Sequence, residues 1–292
     1  MTTLFDRAGF CQIGDRRFLN LHFRFKVTKS LSGEPNTAEV QVWGLSESSR
    51  AAIPDATVPV LLVAGYKDAT EVVFFGDART VDHEKQGPDW VTHIRCGDGE
   101  RRYEDAYSAM SFGPGTEVKK VIEQLATDLG VSSRDALQAL RSGDVKTAFS
   151  KFLQGYAAQG RTVRELDRVT KAAQVDWSTQ DGSLQLLEPG KATKDEAVLL
   201  SPATGMILSP THGKPQKPGE PSYLKVRSLL MPRIRPGRSV QVDSAQYKGV
   251  YRCERVVHAG DIYGQEWQTE TDLLMPGPAP AAAESPSDEG GE

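Results

Sequence analysis

Residues able to do chemistry are sparse in this sequence and do not converge. The five histidines, His22, His83, His93, His212 and His258, show neither HExxH nor any other paired-ligand spacing. Only His258 with Asp261 could form one corner of a metal site, while His22 and His93 read as alternate residues of strands. No GxSxG elbow frames a serine, and a Cys/His nucleophile pair would have to be assembled from residues without a local signature. The runs Gly97-Asp98-Gly99 and Gly113-Pro114-Gly115 do not join a strand to a helix in a parallel βαβ unit, and there is no GxxxxGK(S/T) loop. Both runs therefore read as turns rather than phosphate cradles. Cys11, Cys96 and Cys253 are odd in number, far apart and free of CxxC spacing, which argues for three reduced thiols.

The nearest approach to a catalytic group is a set of carboxylates beside aromatic rings. Asp261 stands near Tyr263 and Glu266 beside Trp267, and paired acids on a β protein with exposed rings can bind or cleave glycan. The preferred alternative is a hairpin tip, Gly260-Asp261-Ile262-Tyr263-Gly264, in which Asp261 bonds its own backbone and Trp267 packs on the sheet below. A basic run, Lys225, Arg227, Arg233, Arg235 and Arg238, is broken by two prolines and reads as strand ends and subunit contacts. No catalytic, cofactor-binding or metal-binding residue is assigned, and no cofactor is expected.

The elements that must position these groups are mainly strands. Leu19, Leu21, Phe23, Phe25 and Val27 alternate with polar residues, the period of a half-buried strand, and Ala38, Val40 and Val42 repeat the pattern as its antiparallel neighbour. Further runs at 58–66, 72–81 and 90–96 are separated by turn residues, so residues 1–112 read as one β domain. After Gly115 the period changes. Thr116 is placed to cap a helix carrying Val118, Val121, Ile122, Leu125 and Leu129 on one face, with Gly130 as its stop. More helix is expected between Ser133 and Tyr156. Thr162 and Glu165 form a capping-box pattern before Val163, Leu166, Val169 and Ala173. Residues 113–174 are thus a helical linker or insert. Period two returns with a hairpin turning at Asp181-Gly182, then at 223–230, 239–244, 249–258 and 266–273, which makes 175–275 a second β domain. The loop at 210–221 is expected to be long and mobile, and the acidic tail, 276–292, to be disordered because it has nothing to bury.

Composition bounds the function. With 292 residues, 38% of them apolar and 25% charged, the chain is expected to be soluble, globular and two-domain. Basic and acidic residues number 35 and 39, and the last seventeen positions hold four of the acids and no base, so the body is neutral. That argues against nucleic acid as the main ligand. No apolar stretch approaches the ~18 residues of a membrane span, and MTTLFDRAGF lacks a signal-peptide layout, so a cytoplasmic origin is expected.

Several stretches together resemble the baseplate hub proteins of tailed phages. They are Phe25 to Arg50 with its Glu34-Pro35-Asn36-Thr37 turn, Ala64-Gly65-Tyr66, Phe75-Gly76-Asp77, Cys96-Gly97-Asp98-Gly99 and Ser111 to Thr116. Downstream follow Thr204 to Ile207, Leu229 to Pro232, Arg235-Pro236-Gly237 and Val257 to Asp261 with Trp267. Their order extends over residues 15–275. One departure is Gly44, where the family often has Asn before Leu-Ser. The resemblance implies an α+β, mainly antiparallel β chain with two tube-like β-barrel domains linked by a helical segment. It further implies a non-enzymatic homotrimer joining a hexameric tail tube to a central spike around a channel, at the distal end of the virion tail. Partners so implied are the tube protein or distal tube ring, the spike, and also the tape-measure and other baseplate proteins. Genome DNA would pass the lumen without specific binding, and the hub domains of the family contribute no catalytic residue. The rival reading is a tail-associated cell-wall hydrolase or glycan-binding module using Asp261, Glu266 and Trp267.

Overall fold

The computed structural model describes residues 6–32, 34–54, 58–98, 105–213 and 222–274, and these are mostly antiparallel β with few helices. The first β region contains β1 (Arg7–Ile13), β2 (Arg16–Phe18), β3 (Phe23–Ser30), β4 (Thr37–Trp43), a short helix α1 (Glu47–Ala51), β5 (Pro59–Tyr66), β6 (Ala69–Gln86) and β7 (Asp89–Gly97). Their order in the sheet is β3-β4-β7-β6-β5-β1-β2, each pair antiparallel. Alternation dictates the faces. In β3 Phe23, Phe25, Val27 and Lys29 point inward, while Arg24 and Lys26 face water. The strand opens at Phe23 rather than Leu19, because Asn20 adopts a left-handed φ of 56° that ends the extended run and leaves Leu19 exposed.

A second apolar cluster belongs to the middle of the chain: β8 (Tyr107–Phe112), β9 (Thr116–Glu117), α2 (Val118–Leu129), α3 (Arg134–Ser142), β10 (Lys151–Phe152), β11 (Tyr156–Arg161), α4 (Thr162–Ala172), β12 (Asp176–Gln180) and β13 (Ser183–Leu187). Val118, Val121, Ile122, Leu125 and Leu129 are all buried, and Gly130 stops α2 with φ 70°. Two expected caps are absent. Thr116 donates its hydroxyl to the Gly113 carbonyl, and Glu117 is the N-cap residue. Thr162 shares its hydroxyl with Ser108, while Glu165 accepts from the Tyr156 hydroxyl at 2.7 Å, so each side chain has a stronger tertiary partner than the helix end. The segment also contains the β8·β11 and β9·β10 ladders, which sequence periodicity does not reveal. The β12–β13 hairpin turns on Asp181 and Gly182, with φ 52° and 80°, the two left-handed positions a tight hairpin needs. Its Trp177, Leu184 and Leu186 complete the helical cluster.

The third cluster lies among β14 (Val198–Leu200), β15 (Thr211–Gly213), β16 (Tyr223–Leu229), β17 (Ser239–Asp243), β18 (Lys248–Asp261) and β19 (Trp267–Leu274). Residues 214–221 and the acidic tail lie outside the described residues. β18 serves two regions. Its first part pairs with β17 and its second with β3, a β-bulge at Cys253/Arg255 lying between, while β19 runs along its other edge. One hydrogen-bonded sheet therefore runs through both β regions. No described helix is long and apolar enough to cross a membrane.

The β3·β18·β19 seam is set by a glycine. Phe25 pairs with Gly260 and Gly260 with Trp267, so one row places two large rings on either side of a residue without a side chain. The rings meet edge to face at 5.7 Å over it. A Cβ on Gly260 would lie 2.6 Å from the Phe25 ring and 2.7 Å from that of Trp267. Gly260→Ala is expected to cost about 2–3 kcal/mol by overpacking, read as a lower urea midpoint with an unchanged slope.

Candidate functional site

A group of ionisable side chains lies where the three regions meet. Lys29, two residues beyond Val27 on the inward face of β3, is 2% exposed. Its ammonium donates to both carboxylate oxygens of Asp181 at 2.6 and 2.7 Å, joining the sheet to the hairpin tip. Asp181 also accepts from the Phe75 amide at 3.1 Å. Asp98, at the end of β7, accepts from the Gly182 amide at 3.0 Å. Asn36 donates to the Thr179 carbonyl and the Gln180 side chain while accepting from the Ser30 amide, and Gln180 returns a bond to the Ser30 carbonyl. Burial pushes the Lys29 pKa down against the pull of Asp181. Burial, reinforced by the Asp181 charge, lifts that of Asp98 to about 6.

The third region reaches this point through Arg235 and His258. The Arg235 charge lowers the proton affinity of both Lys29 and His258. His258 is buried with each ring nitrogen engaged. Thr269 accepts from the Met231 amide and turns its hydroxyl to Nδ1, leaving Nε2 to donate to the Ile234 carbonyl at 3.2 Å. Burial drops its pKa to about 3, so it is a neutral clamp on the loop after β16.

Other singled-out residues have equally definite partners. Asp261 accepts from the Tyr263 and Gly264 amides at 3.1 and 2.7 Å and from His22 at 2.8 Å. Although burial pulls its carboxyl up, these bonds hold it below its ordinary range. His22, stacked on Trp43 at 4.2 Å, is thus more than an alternate strand residue. Glu266 pairs with Arg24 at 3.3 Å, and Trp267 is 4% exposed, its ring lying against Phe25 and Arg7. Asp261, Glu266 and Trp267 therefore form a hairpin tip and its support, with both acids bonded to structural partners and the Trp267 ring buried, while Tyr263 at the tip is exposed. The basic run disperses: Arg227 meets Glu270, Lys225 meets Asp272, Arg233 meets Glu71 and Arg238 donates to the Glu196 carbonyl, leaving Arg235 at the junction. The three thiols are buried, and burial raises each pKa. No cluster of three metal-ligating side chains occurs among the described residues.

Lys29 was the residue to find in sequence. Extending the Phe23-Phe25-Val27 period by one step turns it inward, and an inward lysine requires a carboxylate. Which carboxylate is not legible, because Asp181 reads only as a turn residue.

No family model matches the sequence, and no curated protein is significantly similar to it. Solved structures are similar in fold. A tail protein from Neisseria meningitidis is 11% identical, with 93% of this chain and 97% of that one aligned at a TM-score of 0.64. The 43 kDa tail protein of prophage MuSo2 from Shewanella oneidensis is 10% identical over 92% and 98%, also at 0.64. The E. coli c3393 protein, a type VI secretion component with structural similarity to the T4 bacteriophage tail proteins gp27 and gp5, is 11% identical over 91% and 77%, at 0.60. The chain has the fold of phage tail proteins.

Asp98 gives the junction a measurable pH dependence. Its pKa of about 6 lies above the ordinary 3.8, so the folded state holds this proton more tightly than the unfolded chain. The group therefore favours folding in acid, and that contribution is lost as pH rises from about 4 through 6. Asp98→Asn keeps an acceptor for Gly182 and removes the titration. The variant is expected to melt above the wild type at pH 8, with the difference shrinking towards pH 4.5, as read by calorimetry at both pH values.

Proposed function

We propose that this chain is a structural hub of a phage tail or a related contractile injection device. Three copies would form a ring beneath the last hexameric tube ring, hold the central spike and surround the channel. The observation that carries the reading is the likeness in fold, over nearly the whole of both chains, to two tail proteins, one of them from a prophage. The architecture suits the role. Two tube-like β units, within residues 1–112 and 175–275, would flank a helical segment, 113–174, with the β12–β13 hairpin counted with the helices whose core it completes. Three chains then present six related units, so a threefold ring can meet a sixfold tube without an adaptor.

In this reading the tube protein and the spike are the immediate partners, with the tape-measure and other baseplate proteins as further contacts. The hub is assembled in the host cytoplasm and resides at the distal end of the virion tail. DNA would pass without specific binding, in keeping with the cross-strand pairing of surface charges at Arg227–Glu270, Lys225–Asp272 and Arg255–Asp272. A non-enzymatic role fits the commitment of Asp261 and Glu266 to structural partners.

Image averaging of the distal tail, with copies of this chain counted by quantitative mass spectrometry, tests the proposal. Three copies in a closed ring are expected. One or six copies, or density elsewhere on the particle, would overturn it.

A further inference from the structure

The helical cluster and the cluster of the first β region share no buried apolar residue. What joins them is the hairpin tip at 179–182, held by Lys29, Asn36, Asp98 and the Phe75 amide. The Phe75 ring lies over Gly182 at the tip and is itself 42% exposed, so this apolar contact of the joint is half open to water. Farther along the hairpin a second seam forms. Leu187 lies against Gly237, Asp176 faces Arg252 at 3.8 Å, and the Thr193 amide donates to the Gly237 carbonyl.

We propose that the hairpin tip is a latch: it releases from the sheet without unfolding either core, and the helical segment then pivots about the Leu187–Gly237 seam. A joint made of buried ionic and polar bonds is directional but gains little net free energy, since the charges it buries are hydrated when it opens. Apolar cores of the size found on either side melt only with the whole domain. The weakest boundary is therefore the polar one.

The charge set gives the latch a sign. Lys29 faces Asp181 and Asp98, Arg235 lies near Lys29 and His258, Arg79 lies over Gly97 beside them, and His258 is neutral. Opening returns Asp98 to water, where it ionises more easily. Deprotonation accordingly favours the open form, and the latch tightens as pH falls through about 6.

Amide hydrogen exchange on the full chain reads the latch directly, because the Phe75 and Gly182 amides are bonded to the carboxylates of Asp181 and Asp98. In the wild type these two amides are expected to exchange through a local opening, well before Ile122 in α2 or Val40 in β4. After correction for intrinsic rates, their protection should be several-fold lower at pH 7.5 than at pH 5.5. Lys29→Met leaves the half-buried Asp181 without its cation and should lower tip protection by about tenfold or more, with Ile122 and Val40 unchanged. Spin labels at Glu123→Cys and Lys85→Cys should gain a second distance in that variant. Tip amides that exchange only with global unfolding, or a single unchanged distance in Lys29→Met, would overturn the latch. If Lys29→Met does not fold, the wild-type exchange decides: tip protection equal to that of the cores, or equal at both pH values, sinks the proposal.

Discussion

Everything in this molecule depends on β18 pairing with β3. The two strands lie at opposite ends of the sequence, and their ladder, from Arg24·Asp261 to Ser30·Arg255 and continued by bonds from the Ile262 amide to the Phe23 carbonyl and from the Leu31 amide to the Glu254 carbonyl, joins the first and last β regions into one sheet. Each end of the ladder is specified by a different physical device. At one end Gly260 makes room for Phe25 and Trp267 to fill the same row. At the other, Lys29 sits opposite Val256 and turns its ammonium towards the hairpin of the helical segment. A one-residue slip would send Phe25 into water and a neighbouring charge into the core, so both devices enforce the same register.

The two devices differ in what they contribute. The aromatic row removes apolar surface from water and lends stability in proportion to that area. The Lys29–Asp181 pair recovers, through two short bonds, roughly what burying two charges takes away, and its yield is geometric: one carboxylate, at one hairpin tip, fits the site. Asp98 adds to the strain of that arrangement, since a second carboxylate near Asp181 is held where water would otherwise solvate it. Apolar packing thus fixes the sheet, and polar bonding fixes what leans on it. Arg7 plays a similar orienting part at the far end, reaching from β1 to the carbonyls of Asp261, Gly264 and Gln265, so that the curled sheet is bridged there by a side chain rather than a ladder.

Most local signals in the sequence were faithful, and long-range ones were silent. The period-two run of Phe23 to Val27, the stripe of α2 and the Asp181-Gly182 turn all appear as residues dictate, because each is decided within a few positions. The caps proposed at Thr116 and Thr162 failed because nearby backbone and side-chain partners compete for short hydroxyls, which sequence spacing cannot weigh. The site was half visible. His258, Asp261, Glu266 and Trp267 drew attention as chemical groups, yet each is consumed by a turn, a clamp or a core. Lys29 drew none, although its phase in β3 already forced it inward. Its partner, 152 residues further along the chain, could be identified only once the hairpin was docked.

The free edges constrain how copies of the chain could meet. Three described strands of the long sheet have a single neighbour, β2, β14 and β15, each three residues long; β2 carries exposed Arg16 and Arg17, and β15 is preceded by Pro210. Short edges with charges and proline are what prevent strand addition, so extending the sheet from copy to copy is not what these ends are built for. Some of the large apolar side chains left in water lie on a sheet face instead. Leu199, Gln241 and Val250 form one cross-strand row over β14, β17 and β18, with Leu199 42% and Val250 60% exposed. A ring of such chains would therefore have to be held by side-chain surfaces around preformed sheets. In the proposed ring that would leave every backbone ladder within a single chain and let each chain fold before it met its neighbours.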